Sequence, residues 1–288
     1  MNTKSPQQDE PVVYRQMTPA DLPAAHQLSQ VVSWPHRLED WQFVDALGPG
    51  FVAEDASGVI GTAMYWKHDA RFASLGMIIV APSRQGRGIG RRLMAMILDR
   101  LEGMSVLLHA TEAGRPLYES YGFRAAGQID QHQGLVLNPP EAALPQGSRL
   151  RPIGTSDADK LGKLATRAAG FSRHILIPEL LKVAEGIVLD RNGRTVGFAL
   201  MRRFGRGFAI GPVIAPDEDS AKLLISHWMA ELPRKFVRLD VLHSAGLTGW
   251  LAQQGLEHVS SVVPMWRGVP PTRRRTPGTF AIISQALG

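Results

Sequence analysis

The chain has 288 residues, a net charge of +6, 44% hydrophobic residues and no cysteine. That length suggests about two domains. The missing cysteines exclude disulfides, a thiolate nucleophile and cysteine–zinc sites. The N-terminus, MNTKSPQQDEP, lacks an apolar signal core, and no apolar run approaches the ~18 residues needed to span a bilayer. The sequence therefore reads as soluble and cytoplasmic, without a membrane partner. The modest positive charge suits an anionic ligand and also weak nucleic-acid affinity.

In chain order, residues 1 to 11 read as a mobile tail and Val12 to Met17 as a first strand. Thr18 as N-cap and Pro19 at the first helical position open a helix to about Val31. Ser33-Trp34-Pro35-His36 breaks it, and a short helix follows from about Leu38 to Leu47. Phe51 to Glu54 and Val59 to Trp66 are strands around an Ala56-Ser57-Gly58 turn. Asp69-Ala70-Arg71 turns the chain into an apolar central strand, 73 to 80, which stops at Ala81-Pro82. Glycines then recur at alternate positions, Gly86, Gly88 and Gly90. They lead into a helix carrying Ile89, Leu93, Met94, Ile97 and Leu101 on one face. A strand, a glycine loop and a helix N-terminus together present backbone N–H groups and a dipole that attract phosphate. Arg84, Arg87, Arg91 and Arg92 surround the loop with cations suited to phosphate oxygens. Neither GxxxxGK[ST] nor GxGxxG is present.

The pattern that does fit is Q-x-x-G-x-G, carried by Gln85, Gly88 and Gly90. Here the sequence resembles the GNAT superfamily of N-acetyltransferases. The resemblance implies a loop that binds the diphosphate of acetyl-CoA through Gln85, Gly86, Arg87, Gly88, Ile89, Gly90 and Arg91. It also implies a pantetheine arm lying along the strand end near Ile78 and Val80. Further on, Val106 to Ala110 is a strand and Arg115 to Tyr121 a helix capped by Gly122, with Phe123 to Gln128 beginning another strand. The segment GRPLYESYGF, 114 to 123, carries the Y-x-x-x-G-F pattern of the same superfamily. The resemblance makes Tyr118 the acid that protonates the leaving thiolate; the alternative is a core aromatic.

An attacking amine must be neutral, and the superfamily often uses a glutamate on the central strand. Strand 73 to 80 contains no acid. His109, Glu112, His68 and Asp69 are the candidate bases, each with a structural alternative. Trp34, His36 and Trp41 lie where the superfamily shapes its acceptor site, so Trp34 and His109 are the candidate substrate contacts. No histidine pair has metal-ligand spacing, and no metal is expected.

Residues 138 to 148, NPPEAALPQGS, read as an interdomain linker. Beyond it the chain repeats itself at an offset of 136. Arg15 meets Arg151, Met17 meets Ile153, Asp21 meets Asp157, and Ile60-Gly61 meets Val196-Gly197. With small gaps, Ala81-Pro82 meets Ala215-Pro216. The loop glycines have no counterpart: Asp217, Glu218 and Asp219 stand in their place, and Tyr118 aligns with Leu251. In the second half Asp157 to Ala168 and Asp219 to Glu231 read as helices. Phe236 to Leu242, Val259 to Trp266 and Phe280 to Ile283 read as strands, and Thr272 to Arg275 as a solvated basic loop.

The expected architecture is thus α/β: two tandem GNAT-like domains, each a mixed, mostly antiparallel sheet flanked by helices. Residues 1–137 form the catalytic domain, 138–148 the linker, and 149–288 a diverged domain lacking the phosphate loop. The expected activity is acetyl transfer from acetyl-CoA to a primary amine of a small molecule or protein. A non-catalytic acyl-CoA sensor is the alternative. Nucleic acid is not expected as a partner, because aromatics do not interleave with the loop arginines. The acceptor and the oligomeric state are not legible.

Overall fold

The computed structural model describes residues 11–141, 143–272 and 276–288. Most of the expected N-terminal tail and the arginines of the 272–275 loop lie outside the described residues. Two compact units are present: residues 1–65 with 77–100, and residues 66–76 with 101–288.

The first unit opens with β1 (Val13–Gln16), α1 (Leu22–Val31), α2 (Leu38–Leu47), β2 (Gly50–Asp55) and most of β3 (Gly58–Lys67). A 3-10 turn, Pro19–Asp21, leads into α1, and Asp21 accepts the Thr18 N–H at 2.8 Å, a capping-box arrangement. Strands β1, β2 and β3 form an antiparallel meander. The second half of β4 (Phe72–Val80) and α3 (Ile89–Arg100) complete the unit. Helix α3 buries Ile89, Leu93, Met94 and Ile97. It approaches β3 closely because Gly61 has no side chain: a Cβ there would stand 3.2 Å from both Ile89 and Leu93.

The second unit continues with β5 (Ser105–Ala110), α4 (Arg115–Ser120), β6 (Arg124–Ala125), β7 (Ile129–Leu135) and β8 (Ser148–Pro152). Then come α5 (Ala158–Ala169), α6 (Leu176–Leu181), β9 (Glu185–Arg191), β10 (Arg194–Phe204) and β11 (Gly207–Ala215). The chain ends with α7 (Glu218–Glu231), β12 (Phe236–Leu242), α8 (Thr248–Gln253), β13 (Glu257–Arg267) and β14 (Gly278–Ala281). Among the described residues no helix is long and apolar enough to cross a membrane.

The duplication is physical as well as sequential. Arg15 clamps Asp21 at 2.8 Å and Glu54 at 2.6 Å, and Arg151 clamps Asp157 at 2.6 Å and Asp190 at 2.8 Å. The Met17 N–H donates to the Gly50 carbonyl, and the Ile153 N–H to that of Gly186. All these pairs keep the 136-residue offset. In each half one strand pair is parallel, β4 with β5 at Phe72↔Ser105 to Ser74↔Leu107, and β11 with β12 at Phe208↔Val237 and Ala209↔Arg238.

Between β5 and β12 the halves exchange strands. Strand β13 pairs with β5 (Val263↔Ala110 to Arg267↔Val106) and with β7. Strand β7 in turn pairs along its whole length with β12, Leu135↔Phe236 to Ile129↔Leu242. The expected strand from Phe123 to Gln128 is corrected to the two-residue β6, and β7 takes the long strand position instead. The β7 sequence, IDQHQGL, hides its strand character because Asp130 and His132 are buried polar residues. Burial pushes the Asp130 carboxyl up, but donors from Gln128, His243, Ser261 and Thr248 outweigh it and hold it well below the usual range. These bonds fasten β7 to the segments around it, beside the apolar packing of Ile129 on Val262 and Ile282.

Candidate active site

The first unit holds the loop. Strand β4 runs to Val80, Pro82–Arg84 makes one 3-10 turn, and α3 starts at Ile89. Gln85, Gly86, Arg87 and Gly88 lie between them, with the two glycines and Arg87 exposed. Gly86 and Gly88 adopt φ of +78° and +80°, and a Cβ at either would meet no atom within 4 Å. Glycine is therefore required by the backbone conformation and not by crowding. The space at both positions is open. Helix geometry leaves first-turn N–H groups without intrahelical partners, so the loop faces the positive end of α3. The Gln85 side chain donates to the Val80 carbonyl at 3.1 Å, bracing the loop against the strand end. Arg84 is held by Asp55 at 2.7 Å. The Asp55 carboxyl lies at about 2, lowered first by the Ser57 hydroxyl and then by Arg84.

Strand β4 is irregular where it matters. Met77 has φ +52°, rare for a residue with a side chain, and its carbonyl accepts from the Thr62 hydroxyl at 2.8 Å. The irregularity reorients the backbone just before Ile78 and Val80, which are half-buried, while Met77 and Ile79 are buried. An apolar pattern alone gives no sign of this kink. Ile78, Val80 and residues 85–91 thus lie along one strand–loop–helix segment, with Ile89 buried in it.

In the same unit, Trp34 is half-buried on the α1–α2 connection, its ring 5.4 Å from that of His36. Trp41 is fully buried and its indole donates to Ser29 at 3.2 Å, so it is a core residue.

The second unit holds Tyr118 and His109. Tyr118 is 9% exposed on α4, its ring edge-on to Phe123 at 6.3 Å. Gly114 leaves room for it: a Cβ there would stand 3.0 Å from Tyr118 Cε2. Burial pushes the Tyr118 hydroxyl up to about 12, so it stays protonated at neutral pH. The Nδ1–H of His109 donates to the Gln285 carbonyl at 2.9 Å. His68 is buried against Phe171 and Ser74; burial, then the charge of Arg173, hold it well below its ordinary value. Asp69 accepts the N–H groups of Arg71, Phe72 and Ser172. His68 and Asp69 are therefore structural, and Glu112 is exposed. Among the described residues no group of three or more His, Asp or Glu side chains could hold a metal ion.

Two stretches of the chain match the domain family described as Acetyltransferase (GNAT) domain, residues 47–125 and 161–281. An uncharacterized N-acetyltransferase of Bacillus subtilis, YitH, is 28% identical over 241 residues, 82% of this chain and 83% of that protein. A putative acetyltransferase from Pyrococcus horikoshii superposes with a TM-score of 0.79 at 16% identity, over 100% of this chain and 99% of its own. A tandem GNAT protein from the clavulanic acid biosynthesis pathway gives a TM-score of 0.65 at 15% identity, over 91% and 100% of the two chains.

Proposed function

The chain belongs to the GNAT acetyltransferases, with two such domains in tandem, and from that premise we propose that this acyltransferase moves an acetyl group from acetyl-CoA to a primary amine. The observation that carries the reading is the β4–loop–α3 segment, with its positive-φ glycines, open space and flanking cations. Residues Gln85 to Arg91 hold the diphosphate, and the β4 backbone near Ile78 and Val80 holds the pantetheine arm. When bound, acetyl-CoA supplies the activated thioester. An N–H at the end of β4 polarises its carbonyl. The amine nitrogen bonds to the acetyl carbon as the carbon–sulfur bond breaks; the nitrogen releases a proton to solvent, and Tyr118 gives its proton to the departing sulfur and regains one from solvent. Trp34 forms part of the acceptor wall. A lysine-like amine with a pKa of about 10.4 is neutral in roughly one part in 2,500 at pH 7, so its proton must leave first, to solvent or to a base.

The second domain does not take acyl-CoA in this reading. Aligned on Ala81-Pro82 and Ala215-Pro216, Ile214 stands for Val80. Its strand edge is already paired with β14, Ile214↔Thr279 and Ala215↔Gly278. At the start of α7, Asp217 caps the Ser220 N–H at 2.8 Å and Glu218 and Asp219 fill the first turn, where acids repel a diphosphate. Residues 138–148 serve as the connection between the domains, although Ser148 already belongs to β8. Calorimetric titration with acetyl-CoA tests both parts. One site per chain, followed by CoA release with an amine, is the expected result; two sites, or none, overturns it.

A further inference from the structure

Two short stretches of the second unit are basic, aromatic and free of acid. Residues 201–209, MRRFGRGFA, carry Arg202, Arg203 and Arg206 among Phe204 and Phe208. Residues 232–239, LPRKFVRL, carry Arg234, Lys235 and Arg238 around Phe236. The fold lays them side by side. Gly205, at φ +53°, makes the turn between β10 and β11, with Phe204 opposite Gly207 and Arg203 opposite Phe208. Strand β11 runs parallel to β12 at Phe208↔Val237. Gly207 lets the hairpin press against β12, since a Cβ there would collide with the Phe236 carbonyl oxygen. Strand β9 begins at Glu185, opposite Met201, so Arg202 to Phe204 run past its end.

The guanidinium groups rest on the rings. That of Arg203 lies 5.1 Å from the centre of the Phe208 ring, and that of Arg206 lies 4.6 Å from the centre of Phe236. Arg202 and Arg238 both lie against Phe204, at 4.8 Å and 5.3 Å. Arg202 and Phe204 are buried and Asp240 takes Arg238 at 2.9 Å, so these residues form the floor of the patch. Its outer face is different. Arg203, Arg206, Arg234 and Lys235 are exposed, and Phe208 and Phe236 are half-buried. Leu135, the cross-strand neighbour of Phe236, is 52% exposed.

A guanidinium that rests on a ring has one plane covered; when the group is exposed the other plane is open to a flat partner. Arg203 and Arg206 offer two such planes, with the edges of Phe208 and Phe236 and the Leu135 side chain beside them. Arg234 and Lys235 add charge at the rim. Flat stacking surfaces interleaved with cations match the bases and phosphates of an unpaired nucleic-acid strand. A duplex keeps its base faces stacked inside, and a phospholipid surface uses the charge alone. The arginines of the phosphate loop differ in this respect, because residues 84–92 contain no aromatic.

We propose that the β10–β11 hairpin and the start of β12 bind single-stranded nucleic acid, with bases stacked on Arg203 and Arg206 and phosphates on Arg234 and Lys235. This gives the second domain a ligand of its own and does not depend on the acetyl-transfer reading.

Fluorescence anisotropy of labelled oligo(U) and oligo(dT) strands of about twelve nucleotides, titrated with the full chain at about 50 mM salt, tests this. Both strands should bind at least about tenfold more tightly than an abasic strand of the same length. The slope of log K against log salt should be near −3, from about −0.7 for each of the four exposed cations. Unlabelled single strand should displace the probe at lower concentration than a duplex of the same length, and phosphatidylserine-containing vesicles should not displace it. Arg206→Glu combined with Lys235→Glu should weaken binding at least about tenfold with unchanged thermal unfolding, since both side chains are exposed. Phe236→Leu, which keeps apolar volume but removes the ring under Arg206, should narrow the gap between natural and abasic strands. Saturating acetyl-CoA should leave the strand bound; displacement would put it on the phosphate loop and overturn the proposal. No binding, equal affinity for the abasic strand, equal displacement by duplex, displacement by vesicles, or binding untouched by the charge reversals overturns it as well.

Discussion

Gly88→Glu probes the phosphate loop most directly. Gly88 has φ +80°, and no atom lies within 4 Å of the point a Cβ would occupy, so the fold accommodates a side chain there. The left-handed backbone costs a residue with a Cβ about 1 kcal/mol. Gly88→Ala isolates that cost and should weaken acetyl-CoA about fivefold. The glutamate adds repulsion. Two unit charges 4 Å apart interact by about 1 kcal/mol in bulk water and about 4 kcal/mol near a protein surface. The loop is exposed, so a value near the lower end applies to each diphosphate charge, roughly 2 to 3 kcal/mol in total. Gly88→Glu should thus bind acetyl-CoA about 10²- to 10³-fold more weakly than wild type, as read by calorimetry at low salt. The gap between the Glu and Ala variants should shrink at about 1 M salt, where the screening length falls to about 3 Å. If the two variants bind within threefold of each other at low salt, the diphosphate does not sit on this loop.

Tyr118→Phe should lower kcat by about 10² while leaving acetyl-CoA affinity and thermal stability unchanged, since the ring packing against Phe123 is retained. With the hydroxyl at about 12, its loss of a proton should not shape the rate profile below about pH 10; undiminished turnover in the variant removes it from the mechanism. Acid should loosen the first unit in a defined window. Asp21 is lowered to about 2, chiefly by hydrogen bonds from Arg15, so the pair's stabilisation is present above the unfolded value of 3.8 and lost as pH falls through about 2. Because Arg15 is 37% exposed, screening reduces the contribution to about 1 kcal/mol. Urea unfolding between pH 5 and about 2 should show Asp21→Asn with a flatter pH dependence than wild type; parallel curves would exclude the clamp as the cause.

Local physics made much of this protein legible before any fold was known. A glycine that must take positive φ, a proline that stops a strand and an apolar face every three to four residues act over a few positions, so the β4–loop–α3 segment could be read directly. The repeat at 136 residues was equally legible, and the paired clamps of Arg15 and Arg151 supply its physical reason. Tyr118 could be singled out from its neighbours, but not the burial that sets its proton affinity.

What tertiary structure alone decided depends on contacts between distant residues. The place of β7 between β12 and β13 rests on Asp130 meeting His243 and Ser261, 113 and 131 residues away, so a polar segment becomes a central strand. The edge of β11 is closed by β14, and Arg173 meets a cavity walled by β5, β7, β12 and β13. Neither carries a periodic signal, because periodicity reports which face of an element is buried and never which remote segment buries it.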